Sequence, residues 1–408
     1  MKTIALYDFN WHGHHPTYLQ IFAESLLKGN FRVVLFCQHP EKIIENLIPN
    51  ISDDKIKNIQ GFPIRYPSGN GKILTAFFQS WHNWRLAAGH LRVFGKKENT
   101  NLDFVLFLKI DDYIRGCLPL SFLQQRFPWA WGGLLIHLDL PYQANAQLFR
   151  NRLLRLRHYL KARLNNFSVF RVSSCRLVGT LQEDNVNYLQ KIVKCPVVHF
   201  PEITCEQVAQ ETPLCQRILT KAKQRKIISL LGLIDRRKGI FTFLEMARRC
   251  QSKDWFFLVC GSANNFWTSK QEMDRLNAAI KGYEDDNAFF HLQKISAEAE
   301  FNALIMISDV IFAVYEEFPP YSSNLLTKTS LFRKPVLVSA GGLLESRVKR
   351  FNLGGVAVAG DADSCITALE KLLNEGLKNP GYADYFVCNS REHFNSFLPK
   401  TILAGLER

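Results

Sequence analysis

The sequence predicts an α/β protein made of two doubly wound domains, each built on a parallel sheet. The chain has 408 residues, and a single hydrophobic core rarely grows beyond about 250–300 residues. Apolar runs of strand length alternate with helical patterns along most of the chain, which is typical of parallel sheets covered by helices on both faces. The alternation stops near residues 200–210 and restarts at Lys226. Two such units in series are therefore expected.

The composition is that of a globular protein, with 47% hydrophobic and 22% charged residues, which excludes a disordered or fibrous chain. The ten cysteines include no C-x-x-C pair, and several lie in apolar runs. We therefore expect buried, reduced thiols and a cytoplasmic protein. No stretch is long and apolar enough to span a membrane, and neither a metal nor an organic cofactor is expected.

The net charge of +14 is unevenly distributed. Between Leu140 and Gln182 the chain has eight Lys and Arg residues and no acidic residue. Such a run suits either a solvated helix face or an anionic partner, and residues 150–163 suggest peripheral contact with an anionic membrane. The run lacks interleaved aromatic residues that could stack on bases, so nucleic acid is not expected as a partner.

The first domain is predicted at residues 1–200. A strand at Thr3–Tyr7, a polar loop, a helix at Thr17–Lys28 and a strand at Phe31–Cys37 form a βαβ unit. Further strands are predicted at Phe104–Ile110, Gly133–Leu138, Ser168–Ser173 and Pro196–Phe200. The aromatic segment Gly71–Val93 has helical spacing. Its Trp81 is a candidate contact for a ligand with an apolar or ring-bearing part.

The second domain is predicted at residues 210–385, and residues 386–408 are expected to pack back towards the first domain. Its strands are predicted at Lys226–Leu231, Trp255–Cys260, Phe289–Gln293, Val310–Tyr315, Pro335–Ser339 and Gly355–Ala359. Ligands of doubly wound folds bind beyond the carboxyl ends of the strands. The sequence therefore predicts a site in a cleft between the two domains.

A basic loop that begins at Gly232 joins an apolar strand to a helix. Free backbone N–H groups at a helix N-terminus favour anions, and Arg236, Arg237 and Lys238 add positive charge. We predict a diphosphate-binding loop here, with a basic surface turn as the alternative. Gly261, at the end of the next strand, is assigned to the same site.

A second loop leads into the helix predicted at Asn324–Phe332. Ser322, Ser323 or Asn324 can cap this helix. The same free amides can hold a phosphate or sugar hydroxyls. These residues and Leu325 form the other predicted part of this site.

Three histidines, His12, His14 and His15, follow the first strand in the segment WHGHHP. Gly13 permits close approach of the backbone to a ligand, and histidines titrate near neutral pH. We expect Gly13, His14 and His15 to contact ligands. A metal site here lacks a second cluster of ligands. His137 ends another predicted strand and is expected to face the same cleft.

Several segments resemble, in order and spacing, the family 4 retaining nucleotide-sugar glycosyltransferases of the GT-B fold. The resemblance is strongest over residues 226–375, in LLGLIDRRKGIFTFLEMA, FFLVCGSAN, FNALIMISDVIFAVYEEF, LFRKPVLVSAGGLLESRV and LGGVAVAGDADS. In the first domain it is limited to HGHHPTYLQIFAESL and the strand end at His137. The resemblance implies two Rossmann-like domains facing across a cleft. It also implies a UDP- or GDP-linked sugar donor, bound mainly by the second domain. The resemblance then gives Gly13 and His14 as donor contacts in the first domain, and His15 and Trp81 as acceptor contacts.

The chain departs from this family at the diphosphate loop. The family usually has an arginine directly after the glycine, where this chain has Leu233, while the later lysine is retained as Lys238. Arg236 or Arg237 is the expected source of the second charge.

A second departure concerns two glutamates that the family places eight positions apart. The corresponding positions here are Pro320 and Lys328. In the family, the second glutamate accepts hydrogen bonds from the ribose hydroxyls. The Lys328 ammonium can only donate hydrogen bonds, so it cannot take this role. Glu316 or Glu317 is expected to do the work of the first. Lys328 is expected in the first turn of its helix, facing the cleft and binding the donor.

The leading hypothesis is transfer of a sugar from a nucleotide-diphosphate donor to an acceptor hydroxyl, with retention of configuration. Lys238 and Arg237 are expected to neutralise the departing diphosphate. His137 is expected to hold the sugar or its phosphate, and Glu317 completes the predicted catalytic set. A small molecule, a lipid or a glycan can serve as the acceptor.

Two alternatives remain open. In an inverting transferase, His14 or His15 is the base, oriented by Asp111 or Asp112, and Asp112 is also a candidate acceptor contact. In a non-catalytic protein that binds nucleotide sugars, the ribose carboxylate has been lost, and Lys328 is the main argument for this hypothesis.

Overall fold

A computed structural model describes residues 1–11, 13, 15–65, 73–116, 120–136, 165–263, 269–281, 283, 286–295, 297–316 and 322–408, with the backbone alone at 73–77. The chain forms two compact units. One comprises the described residues up to Ile203 together with Ser390–Arg408, and the other comprises Thr204–Asn389. Both are α/β units built on a parallel sheet, which confirms the predicted fold class.

The first unit contains a seven-stranded sheet. Its strands are β1 Thr3–Tyr7, β2 Arg32–Cys37, β3 Ile59–Pro63, β4 Phe104–Phe107, β5 Trp131–Leu135, β6 Cys175–Thr180 and β7 Val197–His199. Its helices among the described residues are α1 His15–Lys28, α2 Pro40–Leu47, α3 Asp53–Ile56, α4 Ile73–Glu98, α5 Leu120–Arg126 and α6 Asp184–Ile192. The strand order is β3-β2-β1-β4-β5-β6-β7, and each neighbouring pair is parallel.

The predictions for this sheet miss two strands, β3 and β6, and include one strand that does not form. The strand predicted at Ser168–Ser173 is wrong, because Phe167–Arg171 forms a short 3-10 helix. The side chain of Asn166 accepts a hydrogen bond from the Ser168 backbone N–H (3.2 Å) and so caps that helix. Strand β3 was not predicted; it lies at the edge of the sheet and is half-buried, so its sequence lacks a strong apolar pattern.

The second unit contains a six-stranded sheet. Its strands are β8 Lys226–Leu233, β9 Trp255–Ser262, β10 Ala288–His291, β11 Val310–Ala313, β12 Val336–Ser339 and β13 Gly354–Ala357. Its helices among the described residues are α7 Pro213–Ala222, α8 Ile240–Arg249, α9 Lys270–Lys281, α10 Glu298–Ile307, α11 Asn324–Leu331, α12 Leu343–Phe351, α13 Ala362–Glu375 and α14 Tyr382–Asn389. The order is β10-β9-β8-β11-β12-β13, parallel throughout. Each strand predicted here is confirmed to within a few residues.

The last helix, α15 Arg391–Leu406, packs on the first unit. The ring of its Phe394 lies 4.8 Å from that of Phe22 in α1. Ser25 donates a hydrogen bond to the Phe394 carbonyl (3.2 Å). Arg391 forms an ion pair with Glu24. The chain therefore returns to its first unit after completing the second.

The opposite face of the first sheet is covered by helix α4, which packs an aromatic cluster around Trp84. At the edge of this cluster the Tyr7 hydroxyl oxygen lies within hydrogen-bond distance of His90 Nδ1 (2.8 Å). Burial lowers the pKa of His90 from its ordinary value of 6.5.

This pair predicts a pH dependence of stability. Below about pH 6.5 the unfolded chain binds more protons at His90 than the folded chain, so the free energy of unfolding should fall as the pH falls. We expect His90→Gln to reduce this slope in urea unfolding measured between pH ~5 and ~7.5. His82→Gln, exposed on the same helix, is the matched control. Equal slopes for the His90 variant and the native chain would contradict the prediction.

The strand order reverses once in each sheet. The connection from β1 leads to β2 on one side, and that from β4 leads to β5 on the other; β8 and β11 are related in the same way. Loops that leave the carboxyl ends of such neighbouring strands diverge, and the crevice between them is where doubly wound folds bind ligands. Topology therefore marks two places, the β1/β4 edge and the β8/β11 edge.

Among the helices of the described residues, none combines the length and hydropathy that a membrane crossing requires.

Candidate functional site

At the β8/β11 edge, the loop after β8 is organised by Asp235, whose side chain is buried. Its Oδ1 accepts from the Lys238 backbone N–H (3.0 Å), and its Oδ2 accepts from Arg237 Nε (2.9 Å). Arg237 is thus anchored by a carboxylate. Lys238 Nζ lies 3.9 Å from the centroid of the Tyr315 ring, and in the described part of the chain no carboxylate pairs with it. Among the described residues, the positive charge of Lys238 is therefore not offset by an ion pair.

Arg236, the third basic residue of the loop, is more exposed than its neighbours. Its Nη1 lies 4.0 Å from Glu272 Oε1, at the limit of an ion pair. An exposed pair of this length contributes little. The structure therefore places Arg236 at the rim of the loop.

Three glycines allow the backbones at this edge to approach closely. Gly239 has φ +76°, and a Cβ there would lie 2.4 Å from the Val314 carbonyl oxygen. Gly261 has φ +150°, and a Cβ there would lie 1.8 Å from the Gly232 carbonyl oxygen. Gly232 itself has φ +98°. The predicted donor contacts Gly232 and Gly261 thus have a structural reason to be glycine, and donor binding by them stays a prediction.

The loop after β11 contacts the loop after β8. The Glu316 backbone N–H donates to the Arg237 carbonyl (2.9 Å), and Glu316 Oε1 accepts from Thr242 Oγ1 (2.6 Å). Tyr315 Oη and Ser323 Oγ lie 3.1 Å apart. The two loops therefore bring Lys238, Tyr315 and Ser323 together at one crevice.

Helix α11 begins in this crevice. Ser323 is its N-cap residue, but no side-chain cap is formed, because its hydroxyl contacts Tyr315 instead. Asn324 is the first helical residue, Leu325 is buried and Ser322 precedes the cap. The expected side-chain cap is therefore wrong, and the first N–H groups of the helix are left without it.

Lys328 lies in the second turn of α11 rather than the expected first turn, and its side chain is 3% exposed. Its Nζ donates to Glu298 Oε2 (2.6 Å) and to Asn302 Oδ1 (2.9 Å), both on α10. Its Nζ also lies 5.4 Å from the centroid of the Phe301 ring. The anion that offsets the Lys328 charge in this structure is therefore Glu298.

The Phe301 ring connects this pair to the β8/β11 edge. It lies about 4 Å from the point where a Cβ on Gly232 would be. Glu298 is partly exposed (36%), and only one of its carboxylate oxygens has a described hydrogen bond. The structure thus places a carboxylate on α10 near the position where the family has one on the following helix.

At the β1/β4 edge, Asp8 follows β1 and is buried. Its Oδ1 accepts from the Asn10 backbone N–H (2.8 Å), and its Oδ2 lies 2.6 Å from His15 Nδ1. Because a carboxylate only accepts, the neutral His15 ring carries its proton on Nδ1, which leaves Nε2 as an acceptor. This is the arrangement of an oriented general base.

The loop after β4 supplies the other charges of this edge. Lys109 Nζ lies 3.0 Å from Asp112 Oδ2. Burial alone would lower the pKa of Lys109, but the carboxylates of Asp112 and Asp111 raise it above its ordinary value. Asp111 Oδ2 accepts from the Ile136 backbone N–H (3.0 Å). The expectation that Asp111 or Asp112 orients His15 is wrong, because Asp8 does so.

Other predicted residues are placed elsewhere or lie outside the described residues. Trp81 packs on Phe122, with ring centroids 5.8 Å apart. Gly13 has φ +61° in an exposed turn. His12, His14, His137, Glu317 and the basic segment 150–163 lie outside the described residues. Within the described ranges, no group of three or more His, Cys, Asp or Glu side chains could hold a metal ion.

Four residues of these two edges were not predicted from the sequence: Asp8, Asp235, Glu298 and Tyr315. Asp8 and Asp235 could have been found, since each follows a predicted strand at its carboxyl end. Tyr315 is adjacent to Glu316, but its stacking on Lys238 depends on two loops meeting. Glu298 had no sequence signal, because it lies 30 residues from its partner Lys328 on another helix.

Two parallel-sheet units, each with its loops arranged around a reversal of strand order, are features of the GT-B fold. No protein-family model matches the sequence, and no curated protein matches it significantly. Solved structures do match it. Sucrose-phosphate synthase from Thermosynechococcus elongatus is 16% identical, with 98% of each chain covered and a TM-score of 0.66.

Two further structures show the same likeness. The α,α-trehalose 6-phosphate synthase from Burkholderia multivorans is 11% identical, with 100% of this chain and 98% of that chain covered and a TM-score of 0.66. HepE from Anabaena, solved with UDP and glucose, is 11% identical, with 98% and 99% covered and a TM-score of 0.64. At these identities the likeness establishes the GT-B fold.

Proposed function

We propose that this protein is a glycosyltransferase that moves a sugar from a nucleotide-diphosphate donor to an acceptor hydroxyl. The observation that carries the proposal is the β8/β11 crevice, where Lys238 has no described carboxylate partner and lies beside the N-terminus of α11. A preorganised cation beside the positive, N-terminal end of a helix suits a diphosphate. The UDP held by HepE in its solved structure supports a uridine nucleotide as the donor.

The chemistry follows from where charge develops. Cleavage of the bond between the sugar and the diphosphate leaves negative charge on the departing phosphate, and Lys238 stabilises that charge. Asp235 holds Arg237 in place and so positions a second cation. With retention, the acceptor attacks from the face that the diphosphate leaves, and the departing phosphate takes the acceptor proton.

Inversion is the second candidate, and the pair of His15 with Asp8 favours it. Inverting transfer needs a protein base to take the acceptor proton, and His15 Nε2 can accept it while Asp8 stabilises the resulting imidazolium. The retaining mechanism rests on the sequence resemblance of the second unit. The configuration of the product separates the two candidates.

Glu298 is the carboxylate that we assign to the ribose of the donor. Lys328 holds one of its oxygens and stabilises its charge, and a carboxylate oxygen is an acceptor for ribose hydroxyls. The family has this carboxylate on the helix that corresponds to α11, whereas in this chain α10 supplies it.

Turnover of a panel of UDP- and GDP-linked sugars tests the function, with release of the nucleoside diphosphate as the readout. We expect turnover of a UDP-sugar, and NMR of the glycosidic product gives its anomeric configuration. A retained configuration with little effect of His15→Ala supports retention. An inverted configuration with a loss of about 10²–10⁴-fold in His15→Ala supports inversion. His393→Ala, exposed in the same unit, is the control.

A nucleotide that raises the melting temperature without any turnover would contradict the proposed enzyme. Such a result would favour the non-catalytic binding protein, because a ligand that binds only the native state stabilises it.

A further inference from the structure

Helix α4 turns one continuous stripe of side chains towards solvent. The exposed residues recur every three or four positions and therefore share one face of the helix; they are Phe78, His82, Arg85, Gly89, Arg92, Val93 and Lys96. Phe78 is 58% exposed and Val93 is 56% exposed. They are 15 residues apart, which corresponds to about 22 Å along the helix. We call this stripe the α4 face.

The α4 face and the neighbouring helix α5 carry cations without anions. Neither Ile73–Lys97 nor Leu120–Leu135 contains an Asp or Glu. The guanidinium of Arg92 donates to the Arg126 carbonyl of α5 (2.6 Å), so the two helices present one basic surface. Its cations are Arg85, Arg92, Lys96 and Arg126. The first acid beyond the stripe, Glu98, pairs with Lys97 (3.8 Å).

Gly89 lies in the middle of the α4 face. A glycine inside a helix lowers its stability relative to alanine, and a Cβ at this position would meet nothing within 4 Å. Packing inside the protein therefore does not explain the glycine. Its effect is to leave the centre of the stripe flat, so that a surface can approach the helix backbone.

A cavity of about 220 Å³ adjoins this surface, and Arg92, Lys96 and Trp129 are among its lining residues. Two cations beside an indole suit a phosphate headgroup at a membrane interface.

We propose that the α4 face docks on an anionic lipid bilayer, with Phe78 and Val93 entering the boundary between headgroups and acyl chains. Exposed apolar side chains among cations on one helical face are the features of helices that lie in the membrane interface. An aliphatic side chain such as Val93 gains nothing from stacking on bases, which favours lipid over nucleic acid. This inference does not depend on the proposed catalytic function.

Vesicle sedimentation of the full chain tests the proposal. The probes are vesicles of phosphatidylcholine alone and vesicles with about one third phosphatidylglycerol, because surface potential attracts cations near the bilayer. We expect binding to the anionic vesicles only, weakening as salt is added. Arg85→Glu with Lys96→Glu should reduce the partition coefficient at least 20-fold, taking about 5-fold for each charge lost.

Matched variants separate the α4 face from general charge and hydrophobicity. Lys42→Glu with Lys57→Glu makes the same change in net charge on other exposed positions of the first unit, and binding should change less than 3-fold. Phe78→Ser with Val93→Ser should weaken binding at least 5-fold, whereas Ile48→Ser with Val387→Ser, also exposed, should not. Circular dichroism and thermal melts check that each variant is folded.

An equal loss of vesicle binding in the Lys42/Lys57 control and in the Arg85/Lys96 variant would overturn the proposal. Equal binding to neutral and to anionic vesicles would also overturn it. Binding of a single-stranded RNA as tightly as anionic vesicles, with no effect of Phe78→Ser and Val93→Ser, would also overturn it and would favour a nucleic-acid surface.

Discussion

Replacement of Lys238 by alanine should lower the rate of sugar transfer by about 10²–10³-fold, the usual cost of losing one preorganised group at a developing charge. The ammonium of Lys238 is stacked on Tyr315 and has no described carboxylate partner, so its charge is available to the departing diphosphate. The measurement is the initial rate of nucleoside diphosphate release at saturating donor. Lys238→Arg should retain part of the activity, because it keeps the positive charge but on a side chain of different length and shape.

Lys253→Ala is the matched control for this substitution, since Lys253 is exposed in the same unit. Its rate should equal that of the native chain. The melting temperature of Lys238→Ala should change little, because removing a cation without an ion-pair partner leaves no buried charge unpaired. Native turnover in Lys238→Ala would remove this residue from the mechanism.

Replacement of Lys328 by glutamate should lower the free energy of unfolding by on the order of 3 kcal/mol, the scale of the cost of an unpaired buried charge. The substitution introduces the residue that the family, which this sequence resembles, has at this position. In this structure, however, it places a second carboxylate beside Glu298, which now binds the Lys328 ammonium at 2.6 Å. Urea unfolding with a linear extrapolation measures the change.

A charge swap makes the second prediction specific. Adding Glu298→Lys to Lys328→Glu should recover at least half of the lost stability, because opposite charges again face each other. Lys371→Glu, exposed on α13, should change stability by less than about 0.5 kcal/mol. Native stability in Lys328→Glu alone would show that this pair does not form in solution.

The same variants test the donor assignment of Glu298. Glu298→Gln keeps an acceptor but loses the charge that Lys328 stabilises, and we expect it to weaken UDP-sugar binding, measured as a smaller thermal shift at a given ligand concentration. Unchanged binding in Glu298→Gln would contradict the ribose role and leave the stability prediction intact.

The sequence by itself determined the fold class and most of the elements. Strands such as Trp255–Ser262 are buried on both faces and are therefore almost continuously apolar, so their pattern is readable without a structure. The loop at Arg236–Lys238 was also predictable, because a basic segment between an apolar strand and an amphipathic helix has one place in a parallel sheet.

Only the tertiary structure decided which side chains meet. Asp8 rather than Asp111 or Asp112 binds His15, since the β1 and β4 loops both carry carboxylates and only their geometry selects one. Lys328 binds Glu298, 30 residues earlier, because two helices pack side by side. The sequence pattern reports burial and local spacing, whereas such contacts depend on how distant segments pack.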